Sequence, residues 1–156
     1  MKEKEKNIDY KDCMVQECDT NYINLHGSSP LYSIFLLEGT GKVSVDLVEY
    51  TFEGKIILFT SPYQIIHFDV EKPLIVRRLQ FHGDFYCIEY HKKEVACNGL
   101  LFNNIYLTPF VTISPILFTE IKTIFNKIEV EKDGGSPFSE SVLKSYLQLV
   151  LALCSK

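Results

Sequence analysis

The rhythm of hydrophobic and polar positions changes near residue 113. Before it, from Cys13 to Phe81, β-branched and aromatic residues come in short runs broken by residues that bend or cap a chain. These runs predict strands over 14–17, 32–37, 42–46, 49–52, 56–60, 65–68 and 74–81. The turns between them fall at Gly27-Ser28-Ser29-Pro30, Gly39-Thr40-Gly41, Glu53-Gly54, Ser61-Pro62 and Glu71-Lys72-Pro73. Segment 84–98 reads as one or two helical turns, and 105–107 with 110–113 as a last strand pair interrupted at Pro109. Many short strands at nearly regular spacing call for a sandwich or a closed barrel, and closure leaves no long apolar edge open to aggregation. In 74–81, Leu74, Val76, Arg78 and Gln80 face one way while Ile75, Arg77, Leu79 and Phe81 face the other. Each face therefore carries an arginine. One that looks inward needs a partner, and a ligand acid would serve, whereas both can also reach water at the strand ends.

After residue 113 the period becomes helical. Ser114-Pro115 supplies an N-cap and a first-turn proline, and Leu117, Ile121, Ile124, Phe125 and Ile128 make a core-facing stripe. Asp133-Gly134-Gly135 ends this helix and Ser136-Pro137 opens a second one, over 138–155. Val142, Leu143, Tyr146, Leu147, Leu149, Val150, Leu151 and Leu153 leave the second helix almost no polar face. A helix apolar nearly all round must be covered on more than one side, and a second copy of the chain is a natural cover. The expected layout is residues 1–113 as a barrel, with 114–156 as a helical pair in the same domain that also dimerises. With no C-cap glycine before Lys156, the chain reads as one domain of a longer protein.

Composition narrows the picture. The 156 residues suit a single domain, and 46% hydrophobic with 13% aromatic content excludes disorder. A formal net charge of −4 makes the chain a poor holder of DNA or RNA through phosphate contacts of its own. Five cysteines, an odd number without a zinc-ligand spacing, read as reduced cytosolic thiols packed as small apolar residues. The charged start MKEKEKNIDYKD lacks a secretory apolar stretch, and the richest apolar window, 147–154, is far too short to span a bilayer. A cytoplasmic protein is expected.

A search for catalytic chemistry returns little. The histidines are His26, His67, His82 and His91, and neither glycine turn carries the H-x-H pair and following Glu of a cupin metal site. His67 follows Pro62 at about the place of a third ligand, but a lone His is a poor metal site. No nucleophile elbow, phosphate-cradling loop or dinucleotide fingerprint occurs. Glu129 and Glu131 read as solvated, and Cys87 or Cys97 beside His82 or His91 lacks any supporting motif for a nucleophile. No metal and no cofactor are expected.

One resemblance gives direction. The run Ile34-Phe35-Leu36-Leu37-Glu38-Gly39-Thr40-Gly41-Lys42-Val43, then Tyr50, Gly54 and Ile57-Leu58-Phe59-Thr60-Ser61-Pro62-Tyr63-Gln64, resembles the N-terminal sensor domain of AraC-type transcription regulators. The likeness continues through Leu79-Gln80-Phe81-His82-Gly83-Asp84 and Phe85-Tyr86-Cys87 to Ser145-Tyr146-Leu147-Gln148-Leu149. It implies a cupin-like, double-stranded β-helix barrel followed by a helical hairpin, mainly β in class. It further implies a non-enzymatic effector-binding and dimerisation role, with DNA bound only through a helix-turn-helix domain this sequence lacks. Tyr32, Gln64, His67 and Arg78 are the expected effector contacts, although Gln64 and His67 differ in parity and one regular strand cannot point both inward. Tyr146, Leu149, Val150 and Leu153 are the expected homodimer contacts. The rival expectation is a free-standing cupin enzyme, an isomerase or oxygenase. A third is a barrel with a filled interior that only assembles partners.

Overall fold

The computed structural model describes residues 13–86, 108–134 and 137–155. The architecture is mainly antiparallel sheet with three helices, two of them C-terminal. In chain order the elements are β1 (Cys13–Asp19), α1 (Thr20–His26), β2 (Tyr32–Val45), β3 (Val48–Thr60), β4 (Ile66–Asp69), β5 (Ile75–Phe81), β6 (Phe110–Thr112), α2 (Pro115–Gly134) and α3 (Ser139–Cys154). The sheet runs β1-β5-β2-β3-β6, and β4 lies beside β2. The expected helical turns at 84–98 and strand at 105–107 fall largely outside the described residues, as do Cys87, His91, Cys97 and Ser136.

β2 organises the sheet. It pairs with β3 along its length, with β5 through Tyr32–Leu37, and with β4 through Lys42–Val45. The expected turns at Gly39-Thr40-Gly41 and Glu53-Gly54 are overturned here: both lie inside the paired strands, with Gly39 opposite Gly54. The glycines mark the place where β2 exchanges one neighbour for another. A Cβ on Gly41 would sit 2.8 Å from the Asp69 carbonyl oxygen, so the close approach of the backbone leaving β4 requires glycine. The reversal comes later, at Asp46-Leu47, where both residues are left-handed (φ 50° and 72°) and form a mirrored two-residue turn. Asp46 makes that turn tenable by accepting the Ile65 N–H at 2.9 Å and donating its own N–H to the Ile65 carbonyl at 2.8 Å.

Alternation along the strands sends apolar side chains to both faces, and each face is covered differently. On one, Ile34, Leu36, Ile57, Phe59, Leu79 and Phe81 pack against Ile121, Ile124, Phe125 and Ile128 of α2 and Leu143, Leu147, Val150 and Leu151 of α3. The Ser114 hydroxyl caps α2 by accepting the Leu117 N–H at 3.1 Å, as its sequence foretells. The start of α3 differs from expectation: its N-cap is Phe138, without a side-chain cap bond.

The other face is lined by Phe35, Leu37, Ile56, Leu58 and Val76 together with Val43, Val45 and Phe52 from the far ends of β2 and β3, and Ile66 and Phe68 from β4. Over it lies α1, a helix that the strand-like pattern of the region hid. The Asp19 carboxylate caps it, accepting the Tyr22 N–H at 2.8 Å, and Gly27 ends it with φ 51°. Thr20 joins α1 to Leu74 beside β5, and Asn24 exchanges two hydrogen bonds with the Phe68 backbone of β4 at 2.8 and 2.6 Å. Phe52 and Phe68 meet edge to face beneath it, 6.1 Å between centroids.

Candidate functional site

Polar chemistry in the interior collects at one place. Of the buried polar residues among the described ones, Thr20, Ser33, Thr60 and Gln80, the last three line a recess between α1 and the open end of the sheet. β2 contributes Ser33 and Phe35, β3 contributes Thr60, and β5 contributes Arg78 and Gln80. Same-face alternation places Arg78 and Gln80 together, because they sit two residues apart on one strand.

Two loops form the rim, 27–31 and 61–65, and they are bonded to one another. The Tyr63 N–H donates to the Ser29 carbonyl at 2.7 Å, and the Ile66 N–H donates to the Gly27 carbonyl at 2.8 Å. Tyr63 takes a left-handed conformation (φ 67°) to make its bond, an uncommon state for a bulky residue. Gln64 locks the second loop from both ends of its amide: Oε1 accepts the Ser61 N–H at 2.7 Å, and Nε2 donates to Asp46 at 3.2 Å. Gln80 locks the floor, its Nε2 donating to the Ser33 hydroxyl at 3.0 Å and the Ser29 hydroxyl at 3.2 Å. The recess measures about 20 Å³, room for a single water, and about 320 Å³ when the open mouth is included.

Arg78 is half-buried at the edge of this recess. Its Nη2 donates to the Gln16 side-chain oxygen at 2.6 Å, and its guanidinium carbon lies 5.5 Å from the centre of the Tyr22 ring. Its Nε is buried without an acceptor. The charge is felt nearby: burial pushes the Cys18 thiol up, and Arg78 pulls it the other way.

The four residues expected to contact an effector divide evenly. Gln64 and Arg78 line the recess together. Tyr32 does not, because it shares a face with Ile34 and Leu36 and stacks on Phe81 at 5.2 Å beneath the helices. His67 points outward: it alternates with the buried Ile66 and Phe68 of β4 and is exposed. Sequence reasoning missed Ser33, Thr60 and Gln80, although the parity of Ser33 with Phe35, and of Gln80 with Arg78, carried the signal. Glu129 is not merely solvated, since it accepts from Arg77 at 3.0 Å, and Glu131 accepts from the Ser139 hydroxyl at 3.1 Å.

The expected dimer residues also divide. Val150 is fully buried inside the single chain, so its contacts are internal, and Tyr146 and Leu153 are half-buried against the same core. Leu149 is 44% exposed, beside Ser141, Ser145 and Gln148 on a solvent stripe more polar than the helix sequence implies. The described cysteines divide the same way: Cys13 and Cys154 are packed in the core, whereas Cys18 is half-buried. Among the described residues no His, Cys, Asp or Glu cluster has the makings of a metal site, and no helix is long and apolar enough to cross a membrane.

No family model and no curated protein matches the chain. Among solved structures the chain is similar to vicilin from Capsicum annuum, at 14% identity over 72% of this chain, with a TM-score of 0.28. The chain spans 37% of the length of that protein. A likeness this low carries no argument about fold or function.

Proposed function

We propose that the chain is the ligand-sensing and pairing domain of a bacterial transcription regulator of the AraC type, binding its ligand without transforming it. In this reading the sheet is a small cupin-like barrel, the recess takes the effector, and a separate helix-turn-helix domain contacts DNA in the cytoplasm. The observation that carries it is the recess itself. Three buried polar residues and Arg78 converge at one end of an otherwise apolar interior, under two loops that close on each other through backbone bonds. The excess of 20 acidic over 16 basic residues supports a division of labour in which this part leaves phosphates alone. Leu149, exposed on α3, is the contact best placed for a second copy. The effector switches the regulator only by binding one arrangement of the pair better than the other.

One observation favours a second reading, a module that assembles partners and holds no ligand. Phe35, Phe52, Phe68, Ile56 and Leu58 fill the face under α1, which leaves little enclosed space. Sequencing the coding frame past Lys156 tests the first reading. Continuation for about a hundred residues with two helix-turn-helix patterns is expected, and a stop codon directly after Lys156 would overturn it.

A further inference from the structure

The chain has two arginines, and they are neighbours. Alternation sends Arg77 to the helix side and Arg78 to the recess side of β5. Arg77 has its charge answered by the Glu129 carboxylate at 3.0 Å. Arg78 has no such answer. Its side-chain bond goes to the neutral amide of Gln16, and no carboxylate among the described residues pairs with it; the Nε of both arginines lacks an acceptor, so the difference lies in the Nη groups. A guanidinium half-removed from water has lost solvation that an uncharged amide restores only in part.

The surroundings hold no carboxylate to oppose an anion. In a chain with 20 acidic residues, none of the 14 residues lining the recess is acidic. They include instead the hydroxyls of Ser28, Ser29, Ser33, Thr60 and Ser61, which can donate to an anion beside Arg78. One guanidinium sets the scale of the anion. Its planar fork matches a carboxylate, and no lysine or second arginine lines the recess to balance a phosphate dianion. α1 presents its carbonyl end there, through His26 and Gly27, which opposes any anion and opposes a doubly charged one most.

We propose that the recess binds a small organic acid through its carboxylate, paired with Arg78. The inference rests on the ligand-sensing reading and narrows it to a chemical class.

Having only two arginines makes the test direct. In the 156-residue chain labelled with ¹⁵N-arginine, the Nε–Hε spectrum holds two side-chain signals, assigned by their loss in R77K and R78K. Sodium butyrate, titrated against sodium chloride at equal ionic strength, is expected to move the Arg78 signal saturably and leave the Arg77 signal in place. R78Q is expected to weaken butyrate binding roughly tenfold or more, read from the amide signals of Ser29 and Ser33. Inorganic phosphate saturating the Arg78 signal at lower concentration than butyrate would overturn the carboxylate assignment. A neutral sugar such as glucose moving the Ser29 and Ser33 amides, with Arg78 indifferent to butyrate, would overturn the acid while leaving the sensing reading standing. An Arg78 signal that responds to no added anion overturns the proposal.

Discussion

The helix side of the sheet and its recess side share strands β2, β3 and β5 and finish in opposite ways. Under α2 and α3, Ile34, Leu36, Ile57, Phe59, Leu79 and Phe81 meet a continuous apolar layer, and the arginine that strays there is matched by Glu129. Under α1 the apolar residues give way toward one end to Ser33, Thr60, Gln80 and an arginine without a carboxylate. The thiols report the same contrast. Cys154, sealed beneath the helices, is pushed by burial from its ordinary 9.0 up to about 12. For Cys18, on the α1 side, burial also raises the thiol, but Arg78 opposes it. A face closed by other elements is free to be uniformly apolar. A face closed by its own strand ends and by loops must satisfy backbone and side-chain polar groups at the seam, and polar chemistry collects there.

Three changes probe this contrast, in order of expected effect. Phe125→Ala opens a cavity in the sealed layer, where the ring is fully buried, and is expected to cost about 3–5 kcal/mol in urea unfolding. If the cost fell below about 1 kcal/mol, the helices would not be an integral layer of the fold. Gln80→Ala removes the amide that holds Ser29 and Ser33, and is expected to cost about 1–3 kcal/mol. It should also speed amide exchange at Ser29 and Tyr63, since Gln80 holds Ser29 and the Ser29 carbonyl accepts the Tyr63 N–H; unchanged exchange would show that the rim is held by its backbone bonds alone. Cys154→Ala acts on pH dependence. A thiol whose folded pKa is raised holds its proton more tightly in the folded chain, so its contribution is intact below pH 9 and is lost as pH climbs toward 12. Between pH 9 and 10 the wild type is expected to lose roughly 1 kcal/mol more stability than the variant. Parallel curves would mean that water reaches the sealed side.

Much of this contrast is legible in the sequence, and what is not has a physical reason. The alternation of 74–81 already placed one arginine on each face, and the stripe Ile121, Ile124, Phe125 and Ile128 announced the helix layer. Gly39, Gly41 and Gly54 read as turns because a glycine signals only a missing Cβ. What crowds Gly39 and Gly41 is Leu74, Asp69 and Val70, far away in sequence, whereas Gly54 stands in open space and uses its freedom to adopt φ 93°. The true reversal at Asp46-Leu47 contains no glycine, because Ile65 and Gln64 stabilise it from another loop. For the recess, Gln64 and Arg78 carry a legible signal, whereas the chemistry of Tyr32 and His67 conflicts with the parity of their own neighbours, which sends one to the helix side and the other to solvent. Val150 misled because a helix apolar on nearly every side does not reveal which stripe its own chain will cover.

The order in which the two faces are completed follows from where their covers lie in the chain. Everything that closes the recess side, from β1 and α1 to β5, is encoded before residue 82. The helix side waits for α2 and α3, encoded after residue 114. During synthesis from the N-terminus, Ile34, Leu36, Ile57, Phe59, Leu79 and Phe81 therefore leave the ribosome well before the side chains that will cover them. At the usual ~5–20 residues per second, the lag to the end of α3 lasts several seconds. Through that interval the nascent chain carries an uncovered apolar sheet, the kind of surface that chaperones hold and that neighbouring chains on a polysome can join.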